Sequence, residues 1–113
     1  MLSRILLIDH HRDLRKSLSK WLEAKFPFTQ VIEAGSQHEA IDLAQKNAPN
    51  VVVMDSYTSR VDDLRAAVPT APIVILMNYE DDDDNCNALM ASACVSKNAL
   101  TDLQPALAAF LAN

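Results

Sequence analysis

Short apolar runs alternate with helical patterns along the chain. Arg4-Ile5-Leu6-Leu7-Ile8 is continuous and branched, as in a strand buried on both faces. From His11 to Phe26, Leu14, Leu18, Trp21, Leu22 and Phe26 recur at helical spacing, with Arg15, Lys16, Ser19 and Glu23 elsewhere; Pro27 stops that helix. Gln30 to Ala34 reads as a second strand. Ser36 with Glu39 forms a capping box opening a helix to about Asn47, with Ala40, Ile41, Leu43 and Ala44 inward. Beyond Pro49, Val51-Val52-Val53-Met54 is the most strand-prone stretch, and a short helix follows from about Val61 to Ala67. Pro72 introduces the strand Ile73-Val74-Ile75-Leu76-Met77. A helix from Asp81 to Ala91, a strand from Ala93 to Ser96 and a helix from about Ala99 to Ala112 complete the chain. Leu100, Leu103, Leu107 and Phe110 mark the buried side of the last helix, and Pro105 inside it is expected to break one hydrogen bond.

This order is a strand–helix unit repeated five times. It predicts one α/β domain over residues 1–113: a doubly wound parallel sheet in strand order 2-1-3-4-5, with the first and last helices on one face. At 113 residues and half hydrophobic, the chain is large and apolar enough to bury a core without needing metal or disulfide staples. The formal charge of −5 argues against a nucleic-acid surface on this domain. No apolar run is long enough for a membrane span, and a cytoplasmic location is expected. The two cysteines, Cys86 and Cys94, are then expected to be reduced thiols. The single glycine, Gly35, excludes a glycine-rich phosphate loop or dinucleotide turn. The Asp81-Asp82-Asp83-Asp84 run reads as helix-dipole capping and solubility rather than a calcium site, because four consecutive carboxylates cannot converge on one ion.

Ligands of an open parallel sheet sit beyond the carboxyl ends of its strands. Those ends carry Asp9 and His10, Asp55, Met77 and Lys97. Two carboxylates and an ammonium are expected to converge there, and a cation is needed to neutralise the crowded acids. His10 and His11 with Asp9 and Asp55 have the chemistry of a transition-metal site, but consecutive side chains are expected to diverge, which argues against joint ligation. His38 reads as an exposed helix residue.

The pieces Ile5-Leu6-Leu7-Ile8-Asp9-His10-His11, Pro49-Asn50-Val51-Val52-Val53-Met54-Asp55, Pro72-Ile73-Val74-Ile75-Leu76 and Val95-Ser96-Lys97 together resemble the receiver domain of bacterial two-component response regulators, the CheY-like family with the flavodoxin-like fold. The resemblance runs from Arg4 to Ala112. It looks most like receivers that carry helix-turn-helix output domains. It implies that Asp55 is the phosphoacceptor, that Lys97 contacts the phosphoryl oxygens, and that magnesium sits among Asp9, Asp55, Tyr57 and the residue at position 10. It implies a sensor histidine kinase or other signalling protein as partner, a monomer or weak homodimer, and no enzyme activity of the chain's own.

The departures lie in the pocket. The family has a second acid where His10 stands, and an imidazole suits zinc or copper better than magnesium, so magnesium binding is expected to be weak. Met77 stands where a strand-four hydroxyl is usual, and Cys94 where a switch aromatic is usual. The loop Ser56-Tyr57-Thr58-Ser59-Arg60-Val61-Asp62-Asp63 lacks the family's proline and glycine. The expected function is an atypical receiver with weakened switching; the alternative is a pseudo-receiver that binds proteins without phosphotransfer. A haloacid-dehalogenase-type phosphatase would need an aspartate where Tyr57 stands, and a flavin site would need a hydroxyl- and glycine-bearing loop in place of Asp9-His10-His11.

Overall fold

The alternation of continuous apolar strands with one-sided helices folds as that pattern requires. The computed structural model describes residues 3–77 and 91–111. In chain order they form β1 (Ser3–Ile8), α1 (Arg12–Lys25), β2 (Thr29–Ala34), α2 (Gln37–Asn47), β3 (Val51–Asp55), α3 (Val61–Ala67), β4 (Ile73–Met77), β5 (Ala93–Ser96), a 3₁₀ segment (Lys97–Asp102) and α4 (Leu103–Leu111). The five strands make one parallel sheet in the order β2-β1-β3-β4-β5. This is the flavodoxin-like order expected from the sequence. The helix predicted over Asp81 to Ala91 falls almost wholly outside the described residues, as do the aspartate run and Cys86.

Side-chain alternation sorts the core into two layers. Ile5 and Leu7 of β1, Val51 and Val53 of β3, and Val74 and Leu76 of β4 pack beneath α1 and α4 through Leu18, Leu22, Leu103 and Leu107. Leu6, Ile8, Val52, Met54, Ile73, Ile75 and Met77 face α2 and α3 through Ala40, Ala44, Val61 and Leu64. The first and last helices thus share a face, as the right-handed crossover rule demands. β1, β3 and β4 are central and apolar on both sides, so their carboxyl ends are fixed rigidly.

The Ser36 half of the capping box forms as read, while the return bond from Glu39 is shifted to the residue before the cap. Ser36 Oγ accepts from the Glu39 N–H at 3.2 Å, and Glu39 Oε1 accepts from the Gly35 N–H at 2.8 Å. Ser36→Ala is expected to lower stability by about 1 kcal/mol, measured by urea unfolding. The end of the chain corrects the reading. The α-helix begins at Leu103, not near Ala99, after the 3₁₀ segment, whose Ala99 is non-helical. Pro105 therefore lies in the first turn of α4, where an N–H has no intrahelical partner in any case, and no helical bond is lost. A second correction concerns Cys94. It is disulfide-bonded, and no cysteine among the described residues is a free thiol. The expectation of reduced thiols rested on compartment and sequence spacing, neither of which reports whether the fold brings two sulfurs together.

Candidate functional site

The site begins where β1 stops. Asp9 follows Ile8, its N–H donates to the Ala34 carbonyl at 3.1 Å, and its side chain is fully buried. The chain then leaves the sheet and enters α1 through His11, the residue before the first turn. The His11 N–H donates to Asp9 Oδ1 at 2.9 Å. Arg15, one turn into α1, donates from Nη1 to the Asp9 carbonyl at 2.9 Å and from Nε to Glu33 Oε1 at 3.1 Å. This clamp ties the β1–α1 turn to β2. It also crowds the chain's only glycine: a Cβ on Gly35 would meet Arg15 Nη1 at 3.0 Å.

Asp55 is the last residue of β3, paired in register with Leu76, and its side chain is fully buried. Lys97, the first residue after β5, reaches back over the sheet's carboxyl edge. Its Nζ lies 2.8 Å from Asp55 Oδ1 and 3.2 Å from Asp9 Oδ2, with the side chain only 12% exposed. The three strand-end residues singled out from the sequence therefore meet in one ion cluster. Burial pushes the Asp55 carboxyl upward. The Lys97 and Thr58 hydrogen bonds, with the charges of Lys97 and His10, outweigh it and hold the group below its ordinary value.

Thr58 is the residue that sequence reasoning missed. Its hydroxyl donates to Asp55 Oδ2 at 2.7 Å and accepts from the His10 N–H at 3.0 Å. Its oxygen also lies 2.8 Å from His10 Nδ1. A carboxylate only accepts, so the hydroxyl proton is committed to Asp55, and His10 must carry its own proton on Nδ1. The same reasoning puts a proton on His11 Nδ1, 3.0 Å from Asp9 Oδ1. The available signal for Thr58 was a hydroxyl three residues past the strand-end acid. Gln37 pins the same loop to α2, accepting at Oε1 from the Arg60 N–H at 2.9 Å and from Ser59 Oγ at 3.2 Å.

The histidines overturn a third expectation. They do not diverge: their rings lie 3.9 Å apart, inclined at 38°. Divergence holds inside a strand, whereas β1 ends at Ile8 and residues 9–11 already turn into α1. One ligand atom from each of Asp9, His10, His11 and Asp55 falls within 4.8 Å of all the others. Tyr57 is 67% exposed, and His38 is exposed on α2. Met77 closes β4, buried and opposite Ser96 of β5. Cys94 pairs with Ile75 and packs against the α2–α3 layer. A cleft of about 470 Å³ lined by His11, Arg12, Asp13, Leu14 and Lys97 opens beside the cluster.

No protein-family model matches the chain. It is 31% identical over 112 residues to the transcriptional regulatory protein PdtaR of Mycobacterium tuberculosis, covering 92% of this chain and 54% of that protein. It is 31% identical over 86 residues to the transcriptional regulatory protein LiaR of Bacillus subtilis, covering 71% of this chain and 41% of that protein. The chain thus spans about half the length of the curated relatives it matches. Among solved structures, a response regulator receiver domain protein from Clostridium thermocellum superposes with a TM-score of 0.84 at 25% identity, over 97% of this chain and 94% of that one. The response regulator TrrA of Thermotoga maritima, solved in complex with Mg(2+)-BeF, superposes with a TM-score of 0.83 at 19% identity, over 97% of this chain and all of that one. The chain is a receiver domain of the two-component response regulator family, with the CheY-like fold. The curated relatives it matches are transcriptional regulators.

Magnesium asks for an octahedron of hard oxygens. Asp9 and Asp55 supply carboxylate oxygens, and the next side chain, His10, brings nitrogen where a third oxygen would suit magnesium.

Proposed function

We propose that this chain is an atypical receiver that accepts a phosphoryl group on Asp55, with weakened magnesium binding and a blunted conformational switch. The observation that carries the reading is the shared ammonium: Lys97 lies within hydrogen-bonding distance of both buried carboxylates, Asp9 and Asp55. An Asp55 oxygen attacks phosphorus and forms the acyl-phosphate bond. The bond from phosphorus to the donor atom breaks, and the leaving group takes its electron pair. Lys97 then balances the charge on the phosphoryl oxygens. Thr58 must release Asp55 Oδ2 if that is the attacking atom.

The blunted switch rests on two residues. Met77 has no hydroxyl to follow a phosphoryl group, and Cys94 has no ring to swing and is tied in a disulfide. A coupling free energy below the ~1–3 kcal/mol usual for allosteric proteins follows. The same two residues favour the second reading, a pseudo-receiver that contacts proteins without phosphotransfer. In either case we take the domain as one unit over residues 1–113, cytoplasmic and without catalytic turnover of its own. No helix of the described residues is long and apolar enough to cross a membrane. Leu14, Leu18, Trp21 and Leu100 line an apolar groove of about 320 Å³ on α1, a surface suited to a signalling partner.

Intact-mass spectrometry after incubation with magnesium and acetyl phosphate tests the reading. Wild type is expected to gain the mass of one phosphoryl group, and Asp55→Asn none. Beryllofluoride is expected to shift amide NMR signals only around Asp9, Asp55 and Lys97. No mass gain in wild type would leave the pseudo-receiver, and large shifts reaching Cys94 would show an intact switch.

A further inference from the structure

We propose that Asp9, His10, His11 and Asp55 form a binding site for a divalent transition ion of zinc-like character. This goes beyond the phosphoryl reading and does not depend on it.

Two buried carboxylates and two half-exposed imidazoles each bring a ligand atom within 4.8 Å of the other three. His11 Nδ1 is 3.0 Å from Asp9 Oδ1, and His10 Nδ1 is 3.5 Å from Asp55 Oδ2. Zinc takes four ligands at roughly 2.0–2.2 Å in a tetrahedron, which sets its donor atoms roughly 3.3–3.5 Å apart. The His10–Asp55 pair already matches that edge, the His11–Asp9 pair is shorter and must open slightly, and the spread of at most 4.8 Å among all four must contract toward it.

The lysine does not stand in the way. Each carboxylate divides its oxygens: Asp9 Oδ2 and Asp55 Oδ1 face Lys97, while Asp9 Oδ1 and Asp55 Oδ2 face the histidines, and the Thr58 hydroxyl that donates to Asp55 Oδ2 gives way to the ion. The ion therefore binds on the histidine side while Lys97 keeps the oxygens it already holds. Those outer bonds orient both carboxylates, as supporting hydrogen bonds do in metal sites. Two carboxylates against a dication also leave the ligand set neutral. To ligate the ion each imidazole gives up the Nδ1 proton it carries in the absence of the ion and holds its proton on Nε2; with 51% and 55% of the two side chains exposed, that nitrogen has access to water. Imidazole with carboxylate favours zinc, nickel, cobalt or copper over magnesium.

The test is titration of the untagged full chain with cobalt(II), followed by zinc displacement. One cobalt per chain is expected, with the visible d–d absorption of a low-coordinate nitrogen and oxygen set, displaced by stoichiometric zinc. On wild type, zinc is expected to move the ring-proton NMR signals of His10 and His11 and leave those of His38 unmoved. The paired substitutions His10→Asn and His11→Asn are expected to cost about 100-fold or more in zinc affinity, since disturbing even a supporting residue costs 10–100-fold. His38→Asn is expected to cost nothing. Undiminished zinc affinity in the paired variant, or wild-type ring signals that ignore zinc, would overturn the site. Both readouts stand apart from phosphorylation, so failure here and failure of the phosphoryl reading are separable.

Discussion

Lys97→Met is expected to destabilise the fold by about 3–5 kcal/mol at neutral pH, the usual cost of stripping a buried ion pair of one partner. The methionine keeps most of the aliphatic stem, so the loss reads the ammonium and not packing. Asp9 and Asp55 are fully buried, and Lys97 holds one oxygen of each. Without it the two buried acids lose the ammonium that lies between them. The pH dependence has a definite sign. In wild type the Asp55 carboxyl is held below its ordinary value, so its contribution is full above the unfolded value and lost as pH falls through the folded one. In the variant the hydrogen bond and charge of Lys97 no longer oppose burial, so the Asp55 value rises and the folded state takes up a proton more readily than in wild type. The gap between the two proteins should therefore narrow in acid. Urea unfolding at about pH 7 and about pH 4, with chelator present, measures both claims. Equal stability at neutral pH would show that the ammonium does not hold the carboxylates.

His10→Asp is expected to tighten magnesium binding by about tenfold or more, because added carboxylate charge raises affinity for hard cations. The side chain is well placed for this: His10 Nδ1 lies 3.5 Å from Asp55 Oδ2, and the Thr58 hydroxyl accepts from the residue's backbone N–H. A carboxylate there would offer oxygen where the wild type offers nitrogen. The same exchange should weaken zinc binding, so the ratio of the two affinities moves from both ends. Calorimetric titration of each protein with each ion measures it. Identical magnesium affinities would show that position 10 does not set the preference.

The fold was legible because its signal is redundant. Four of the five strands are nearly unbroken apolar runs, and a parallel sheet with right-handed crossovers leaves few orders open. Asp9, Asp55 and Lys97 were legible for a related reason: each follows immediately on a strand, and strand ends meet at one edge. The rest of the pocket depends on turn geometry, which hydrophobic pattern does not encode. Thr58 reaches Asp55 because the loop after β3 turns back on itself, its N–H donating to the Asp55 carbonyl at 3.1 Å. The two histidines face the same way because the chain has left the sheet before reaching them. Pro105 looked disruptive only while the helix start was placed too early. The Cys94 disulfide is a fact of three-dimensional proximity that spacing along the chain does not carry.

The pocket also bears on the order in which the chain folds. Asp9 and Lys97 are 88 residues apart in sequence, and the sheet joins their strands only through β3 and β4. A partly folded chain holding β1, β3 and β4 brings the two acids together with no ammonium between them. Such an intermediate carries electrostatic repulsion that is relieved only when β5 docks. The contact is long-range, the kind that slows folding. During synthesis, the acids cannot be neutralised from within until residue 97 has left the ribosome. The ion cluster is then the closing event of assembly, and a chain halted before its last strand should remain open and readily cleaved by proteases.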